Sequence, residues 1–146
     1  MAAAIVAEQK VKKRKSGIPT GNAGEYLVMG ELLRRGFDAH LADRNTKGYD
    51  LVAAWPSAPL RRIQMKTVRA QPRFVNRTSF NGDMLNQVTV YVLLGPESNE
   101  KPARFFIAKN SDVAAHAHYP EGWSKNGFLK FRALERHESR WALLRD

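Results

Sequence analysis

The chain has 146 residues, with 24 lysines and arginines against 14 acidic residues, and a formal net charge of +10 at pH 7. This length predicts one domain around a single core, and no apolar run approaches the roughly 20 residues of a membrane span, so we expect no membrane partner. The absence of cysteine excludes disulfide scaffolds and thiolate zinc sites, and it is typical of the cytoplasm, where we expect the protein to act.

The excess of basic residues favours binding to nucleic acid, because each neutralised phosphate adds salt-dependent affinity. Solvated surface charge without a ligand is the simpler alternative. Residues 1–19 are predicted to be a flexible basic arm that ends at Ser16, Gly17 and Pro19. The candidate phosphate-binding residues of this arm are Lys12, Lys13, Arg14 and Lys15. The rest of the chain is also basic, so the arm is not the whole of the predicted binding surface.

In chain order, the pattern first predicts a helix over residues 23–35, with Asn22 as its N-cap and Gly36 as its C-terminal stop. An extended segment at 37–42 and a polar loop at 43–48 follow. Residues 49–54 and 60–68 are predicted to form an antiparallel hairpin, because prolines interrupt the apolar pattern between them.

The segment 69–86 is polar, basic and rich in turn signals, and it is predicted to be a long loop of the kind that is usually functional or mobile. Strands are predicted at 87–94 and 103–108. Ser111 or Asn110 can cap a short helix that runs to His116.

The order of these elements predicts an α/β fold with a single mixed β-sheet flanked by helices. We assign residues 20–110 to its core and residues 111–146 to a small C-terminal α/β extension packed on that core. No glycine-rich phosphate loop follows a strand, which disfavours a doubly wound nucleotide-binding fold.

Glu25 is the first polar residue that breaks the apolar pattern, because it shares a helix face with Val28, Met29 and Leu32. It therefore faces the sheet at the start of the helix. A capping box formed by Asn22 and Glu25 explains the same pattern, with the carboxylate bound to a backbone N–H.

Two further breaks lie on the predicted hairpin. Asp50 begins the first strand, where an aspartate is expensive to bury, although it can also end the preceding loop. Gln64 and Lys66 share one face of the second strand, which an exposed edge strand would also explain. A five-residue connection at 55–59 places Asp50 opposite Gln64, whereas a connection one residue shorter would place them on opposite faces.

Together, a carboxylate, an oxygen donor and a lysine on neighbouring strands supply what phosphodiester hydrolysis needs. Oxygen ligands hold Mg²⁺, which activates water, and a lysine can orient that water or stabilise the developing charge.

These residues occur in three motif-like stretches, Gly21-Asn-Ala-Gly-Glu25, Gly48-Tyr-Asp50-Leu-Val52 and Ile63-Gln-Met-Lys66-Thr67. With the intervening Leu32-Leu-Arg-Arg-Gly-Phe37 they resemble the PD-(D/E)XK nuclease superfamily, which has the restriction-endonuclease-like fold. The resemblance covers about residues 20–70, roughly a third of the chain. The chain departs from the E-x-K motif at Gln64, as do Gln-bearing homing endonucleases, and it is also similar to small Holliday-junction-resolvase-like proteins.

The resemblance implies a metal site of Glu25, Asp50, Gln64 and the backbone carbonyl of Met65. It implies Lys66 as the catalytic lysine, Mg²⁺ as the cofactor with Mn²⁺ as a substitute, and no organic cofactor. The neutral amide of Gln64 lowers the expected metal affinity.

We therefore expect a Mg²⁺-dependent endonuclease that hydrolyses DNA, and a homodimer where two strands are cut. Five arginines near the site in sequence are expected to bind phosphates: Arg61, Arg62, Arg69, Arg73 and Arg77. The alternative is a catalytically weak or inactive nuclease-fold protein that binds nucleic acid. An RNA-directed protein is a third possibility, without an RNA-specific signature in the sequence.

Other chemistry-bearing residues carry weaker signals. On a helix, His116 and His118 point about 200° apart and do not form a metal pair. Trp123, Phe128 and Phe131 have a spacing typical of core residues, and stacking on bases is the alternative.

Overall fold

A computed structural model describes residues 18–43, 45–70, 73–98 and 100–146, with the backbone alone at Arg73, Phe74, Asn76 and Thr78. The four basic residues predicted for the arm (Lys12, Lys13, Arg14 and Lys15) lie outside the described residues. Among the described residues, no helix combines the length and the apolar character needed to cross a membrane.

The helix α1 (Ile18–Arg34) begins earlier than the sequence predicted. Ile18 and Pro19, which the sequence assigned to the arm, belong to its first turn, where the missing N–H of proline breaks no helical hydrogen bond. Asn22 lies inside α1, so its predicted role as N-cap is wrong. The capping box of Asn22 and Glu25 is therefore wrong as well. The predicted C-terminal stop is present, because Gly36 adopts a positive φ of 93°.

Seven strands in the described part of the chain form two sheets. Their bounds are β1 (Asp38–Leu41), β2 (Leu51–Ala54), β3 (Arg61–Val68), β4 (Arg73–Asn76), β5 (Val88–Leu93), β6 (Arg104–Lys109) and β7 (Asn126–Leu129). The main sheet has the order β1-β2-β3-β5-β6, and β4 pairs with β7 in a separate two-stranded sheet. In the main sheet β3 and β5 are parallel and the other neighbours are antiparallel, so the mixed sheet is confirmed.

The hairpin of β2 and β3 has the register that the five-residue connection predicted. Leu51 lies opposite Ile63, and Ala53 lies opposite Arg61. Extending this register by one residue brings Asp50 opposite Gln64. Side chains alternate between the faces of a strand, so Asp50, Gln64 and Lys66 belong to the face opposite the one that packs on α1.

The segment 69–86 is not the structureless loop that the sequence predicted. After the described Arg69 and Ala70, β4 pairs with β7, and two 3₁₀ helices follow at Arg77–Phe80 and Gly82–Asn86. The partner strand β7 lies about fifty residues further along the chain, and local sequence patterns do not report pairing over that distance. The segment therefore belongs to the folded body and carries a buried residue, Ser79.

The C-terminal segment departs from its prediction in two ways. A short helix α2 (Asn110–Val113) runs into a 3₁₀ helix ending at His116, but neither Asn110 nor Ser111 caps it, because Lys109 holds the N-cap position without a side-chain bond. Beyond His116, where every residue is described, the chain forms β7 and three 3₁₀ helices and no α-helix, so α2 alone supplies the α-helical part of the segment.

Apolar residues cover both faces of the main sheet. On the side of α1, Val28 and Leu32 pack with residues of the central strands, and Trp141 and Leu144 from the C-terminal segment complete this cluster. On the opposite side, a second cluster joins the sheet to β4, β7 and the segment that follows β7. Its buried members are Val75, Tyr91, Phe106, Ala108, Val113, Leu129 and Leu134.

Helix α1 approaches β3 most closely at Gly24, which is buried. A β-carbon at Gly24 would lie 2.8 Å from Cβ and Cγ2 of Thr67 and closer still to its hydroxyl oxygen. Threonine is branched at Cβ and has few alternative rotamers. The glycine therefore sets the distance between the helix and the strand, one residue before Glu25.

We expect Gly24→Ala to lower the free energy of unfolding by about 1–3 kcal/mol, because overpacking must displace α1 from β3. Gly30→Ala is the matched control. This position lies on the same helix and is exposed, and a β-carbon added there would have no neighbouring atom within 4 Å. There alanine should stabilise the protein by roughly 0.5–1 kcal/mol through helix propensity. Denaturant titration measures both, and equal effects at the two glycines would contradict the close approach.

Candidate active site

Asp50 is fixed at the start of β2 by two hydrogen bonds to β3. Its backbone N–H donates to the carbonyl of Ile63 at 2.8 Å, and its carboxylate Oδ2 accepts the N–H of Met65 at 2.8 Å. The carboxylate is therefore held against the strand that carries Gln64 and Lys66. This arrangement answers the question that the sequence left open, since Asp50 does more than end the preceding loop.

The loop before Asp50 is also held by the residue that precedes β5. Gly48 adopts a positive φ of 89°, a conformation that glycine tolerates without strain. The Gly48 carbonyl accepts a hydrogen bond from the side-chain amide of Gln87, which immediately precedes β5. The position of Asp50 therefore depends on two strands, β3 and β5, as well as on its own.

Glu25 and Asp50 line one cavity of about 200 Å³ between the start of α1 and the loop that follows β1. Asp43 lines the same cavity, so three carboxylate side chains border it. Asp43 does not stand out in the sequence, because an aspartate in a polar loop is the ordinary choice for a turn. The other lining residues are Asn22, Ala42 and Thr46.

Backbone hydrogen bonds hold this part of the loop. The Ala42 N–H donates to the Asp50 carbonyl at 2.9 Å, and the Thr46 N–H donates to the Asp43 carbonyl at 2.8 Å. Asp43 thus begins a hydrogen-bonded turn between β1 and β2. The two bonds keep Asp43 and Asp50 on the wall of the same cavity.

Gln64 lies on β3 and accepts a hydrogen bond at its Oε1 from the hydroxyl of Ser79, at 2.9 Å. Ser79 is buried, with 4% of its surface exposed. An amide oxygen has two lone pairs, so the bond from Ser79 leaves Oε1 with capacity for one further partner.

Lys66 lies two residues after Gln64 and therefore on the same face of β3. It is half-buried and lies beside Tyr91 of the parallel neighbour β5. The order of groups along this face is Arg62, Gln64 and Lys66, with Asp50 opposite the middle one. An amine at this place can stabilise negative charge that develops next to the oxygen ligands.

A buried polar network continues from Gln64 into the protein. The side-chain amide of Asn110 donates to the carbonyls of Ser79 and Met84 at 2.9 and 2.8 Å, and its Oδ1 accepts the Thr89 hydroxyl at 2.6 Å. Asn110 is fully buried and Thr89 is 2% exposed. Since buried polar groups are expensive without partners, this network holds the 3₁₀ helices of residues 77–86 against the main sheet.

We expect Asn110→Ala to lower the free energy of unfolding by about 3 kcal/mol, because the Thr89 hydroxyl and the Ser79 carbonyl lose a buried partner and the Met84 carbonyl keeps only the Gln87 N–H. The exposed Asn86, in the 3₁₀ helix that this network anchors, supplies the control, and Asn86→Ala should stay within about 0.5 kcal/mol. Urea denaturation monitored by tryptophan fluorescence measures both. A loss for Asn110→Ala no larger than that of the control would contradict the network.

The predicted metal ligands are partly brought together. Glu25 and Asp50 share a cavity, and Asp50 contacts the β3 backbone next to Gln64. Within the described ranges, no three His, Cys, Asp or Glu side chains are placed to hold a metal ion by themselves. A cation at this site would therefore need oxygens of other kinds, such as the Gln64 amide, a backbone carbonyl or water. These donors are all hard oxygens, which fits Mg²⁺ or Mn²⁺.

The predicted phosphate-binding arginines have different surroundings. Arg61, Arg69 and Arg77 donate to backbone carbonyls, those of Asp146, Gly95 and Trp123 respectively. Arg62 is exposed on the face of Gln64 and lies over the ring of Tyr49 at 5.2 Å. The side chain of Arg73 lies outside the described part of the chain, although its backbone belongs to β4.

The solved structures that match this chain include two nucleases. A bacterial homing endonuclease, I-Ssp6803I, matches with a TM-score of 0.59 and 15% identity over 90% of this chain and 94% of the other. A Holliday junction resolvase from the archaeon Archaeoglobus fulgidus, Hjc, matches with a TM-score of 0.47 and 17% identity over 75% of this chain and 89% of the other. No family model and no curated protein matches the sequence. The restriction-endonuclease-like fold predicted from the sequence is confirmed.

Proposed function

We propose that the protein is a metal-dependent endonuclease that hydrolyses phosphodiester bonds of DNA. One observation carries the proposal: the carboxylate of Asp50 binds the backbone of β3 between Gln64 and Lys66 and also borders a cavity with Glu25. Gln64 and Lys66 do not line this cavity, but they lie on β3 on either side of the Met65 N–H that Asp50 binds. The fold shared with a homing endonuclease supports the same function by analogy.

In this proposal Glu25, Asp50 and Gln64 are the side-chain ligands of Mg²⁺, and the Met65 carbonyl is the backbone ligand. Asp43 is a further acidic group on the cavity wall. Gln64 supplies an oxygen without a charge, so the site holds its cation less tightly than a site with glutamate there. Mn²⁺ binds the same hard donors and can replace Mg²⁺.

When bound, the metal polarises the phosphate and lowers the pKa of its water. The residues of the chain supply the rest. Lys66 orients the attacking water and stabilises the charge that develops on the phosphate oxygens. The oxygen of water bonds to phosphorus and the water gives up a proton, while one ester P–O bond breaks and the departing oxygen takes up a proton. The carboxylate of Asp50 also accepts the Met65 N–H, and this hydrogen bond fixes its position relative to Gln64 and Lys66 on β3.

A nucleic acid is the proposed substrate because the protein carries ten net positive charges, which attract phosphates without regard to sequence. DNA is proposed over RNA because the sequence carries no RNA-specific signature. Arg62 is the best-placed of the predicted arginines, since it is exposed on the face that carries Gln64. The arm residues Lys12–Lys15 add further positive charge. A cytoplasmic location suits a DNA substrate and a chain without cysteine.

We also propose that two copies associate when both strands are cut, since one active site cleaves one strand at a time. Closed two-fold dimers are the commonest oligomers. Helix α1 carries the exposed apolar residues Tyr26, Leu27 and Leu33 on its outer side. These residues lie on the helix that also carries Glu25, so a dimer through them would place two sites in one assembly.

A DNA-binding protein without nuclease activity is the second candidate, and Gln64 favours it. The usual carboxylate is replaced by an amide, and that amide already accepts the Ser79 hydroxyl. Such a protein would keep the fold and the positive charge but cleave nothing in any metal.

To separate these functions, supercoiled plasmid is incubated with the protein in Mg²⁺ or Mn²⁺. We expect nicking that EDTA abolishes. Asp50→Asn and Lys66→Met should each slow nicking by about 100-fold or more, because each removes one element of the site. Gln64→Glu should lower the Mg²⁺ concentration needed for nicking, because it adds a charged ligand.

Asp38→Asn is the matched control. Asp38 is an exposed carboxylate on β1, 3.0 Å from Nε2 of His40 and outside the cavity, so its variant should nick at the wild-type rate. Plasmid binding without nicking in either metal would overturn the nuclease and leave the DNA-binding protein.

A further inference from the structure

A second cavity, of about 350 Å³, lies in the C-terminal segment, and almost all of its wall is basic. Five of its six lining residues are histidines, lysines or arginines, and the sixth is an alanine. They are His116, His118, Lys130, Arg132, Ala133 and Arg136. We call this cavity the C-terminal cleft. None of its lining residues belongs to the candidate active site, and none of the described acidic side chains lines it.

The two histidines reach the cleft because the chain is not helical between them. His116 ends a 3₁₀ helix, whereas His118 forms an isolated β-bridge with Phe128. Backbone bonds of 2.9 Å run in both directions between His118 and Phe128, and their rings stack at 5.3 Å. The 200° separation expected on a helix is therefore wrong for this pair, and both side chains border one space.

The acidic residue Glu138, two residues after Arg136, has its partner outside the cleft. Glu138 forms a bidentate ion pair with Arg104 of β6, at 2.7 and 2.8 Å, and this pair lowers the pKa of Glu138. A bidentate pair of this kind has a fixed geometry. Its charge is therefore committed to Arg104 rather than to Arg132 or Arg136.

Arg136 forms a hydrogen bond with the buried imidazole of the next residue, His137. Its Nε donates to Nε2 of His137 at 3.4 Å, and His137 is 2% exposed. Burial lowers the pKa of His137, and the positive charges of Arg136 and Arg140 act in the same direction. A neutral imidazole can accept this hydrogen bond, whereas a protonated one cannot. The bond uses only Nε, so the terminal guanidinium nitrogens of Arg136 are not committed by it.

We propose that the C-terminal cleft binds a backbone phosphate of DNA, at a position away from the phosphate that is cut. A lysine and two arginines in a cleft that no described acidic side chain lines match a phosphodiester anion, and arginine matches it with two parallel N–H donors. The cleft positions the duplex and does not read its sequence. DNA as the polymer rests on the proposed function, but the phosphate contact does not depend on catalysis.

The test measures DNA binding in EDTA, so that no cutting occurs. A fluorescein-labelled duplex is titrated with wild-type protein and with Lys130→Gln/Arg132→Gln, at several salt concentrations. Each lost phosphate contact should reduce the slope of log affinity against log salt by about 1, so the double variant, which loses the one phosphate of the cleft, should lose about 1. Both residues are exposed, so the thermal midpoint should stay unchanged.

Arg34→Gln/Lys101→Gln is the control, because it removes the same charge from two exposed residues outside the cleft. It should leave the salt slope nearly unchanged. Equal slopes for the cleft variant and the control would overturn the proposal, since charge alone would then explain binding. If the wild-type protein nicks plasmid but the cleft variant keeps the wild-type slope, the nuclease stands and the cleft proposal is refuted. If the cleft variant has a reduced slope but the wild-type protein does not nick plasmid, the cleft proposal stands and the nuclease is refuted.

A second readout does not depend on any variant. In NMR spectra of the wild-type protein, the same duplex should shift the ring resonances of His116 and His118. The ring of His40 on β1, which pairs with Asp38, serves as the internal reference. A shift of His40 without a shift of the two cleft histidines would place the DNA elsewhere and overturn the proposal.

Discussion

The candidate site depends on one hydrogen bond, from the Met65 N–H of β3 to the carboxylate of Asp50. It ties a charged side chain to the backbone of the neighbouring strand at the point where β2 begins. A slip of one residue in the β2–β3 register would turn Gln64 and Lys66 to the other face of the sheet and remove the partner of Asp50. The apolar pattern sets the same register, because Leu51 and Ile63 are opposite each other in the core.

The surrounding structure restricts the other members of the site. Gly24 lets α1 lie close to β3, which fixes the distance at which Glu25 stands from the sheet. Ser79 holds the amide of Gln64, and Asn110 holds Ser79 and the segment around it. Each restraint comes from a different part of the chain, so the geometry of the site is a property of the whole fold.

Much of the main sheet can be predicted from the sequence. The apolar runs and the prolines between 54 and 60 identify the β2–β3 hairpin, and the length of the connection predicts its register. Glu25, Asp50, Gln64 and Lys66 stand out because each interrupts an apolar pattern. Asp43 and Ser79 do not, since aspartate and serine are ordinary in polar segments and only the folded chain reveals the cavity or the burial.

The sequence predictions that the structure contradicts were wrong for physical reasons. The pairing of β4 with β7 spans about fifty residues, which local patterns do not report. The predicted start of α1 is too late because Pro19 has the signature of a helix breaker, although the first helical turn accepts it. The sequence predicts that His116 and His118 point apart because it treats both as helical. The 3₁₀ helix ends at His116, so the two side chains can border one cavity.

Anomalous diffraction from crystals soaked in Mn²⁺ tests the central claim most directly, because it locates the cation without relying on activity. The account predicts an anomalous peak in the cavity bordered by Glu25 and Asp50, within coordination distance of the Asp50 carboxylate, and its loss in Asp50→Asn crystals. A fully soaked crystal with no peak there, or with its strongest peak at residues outside this cavity, would contradict it.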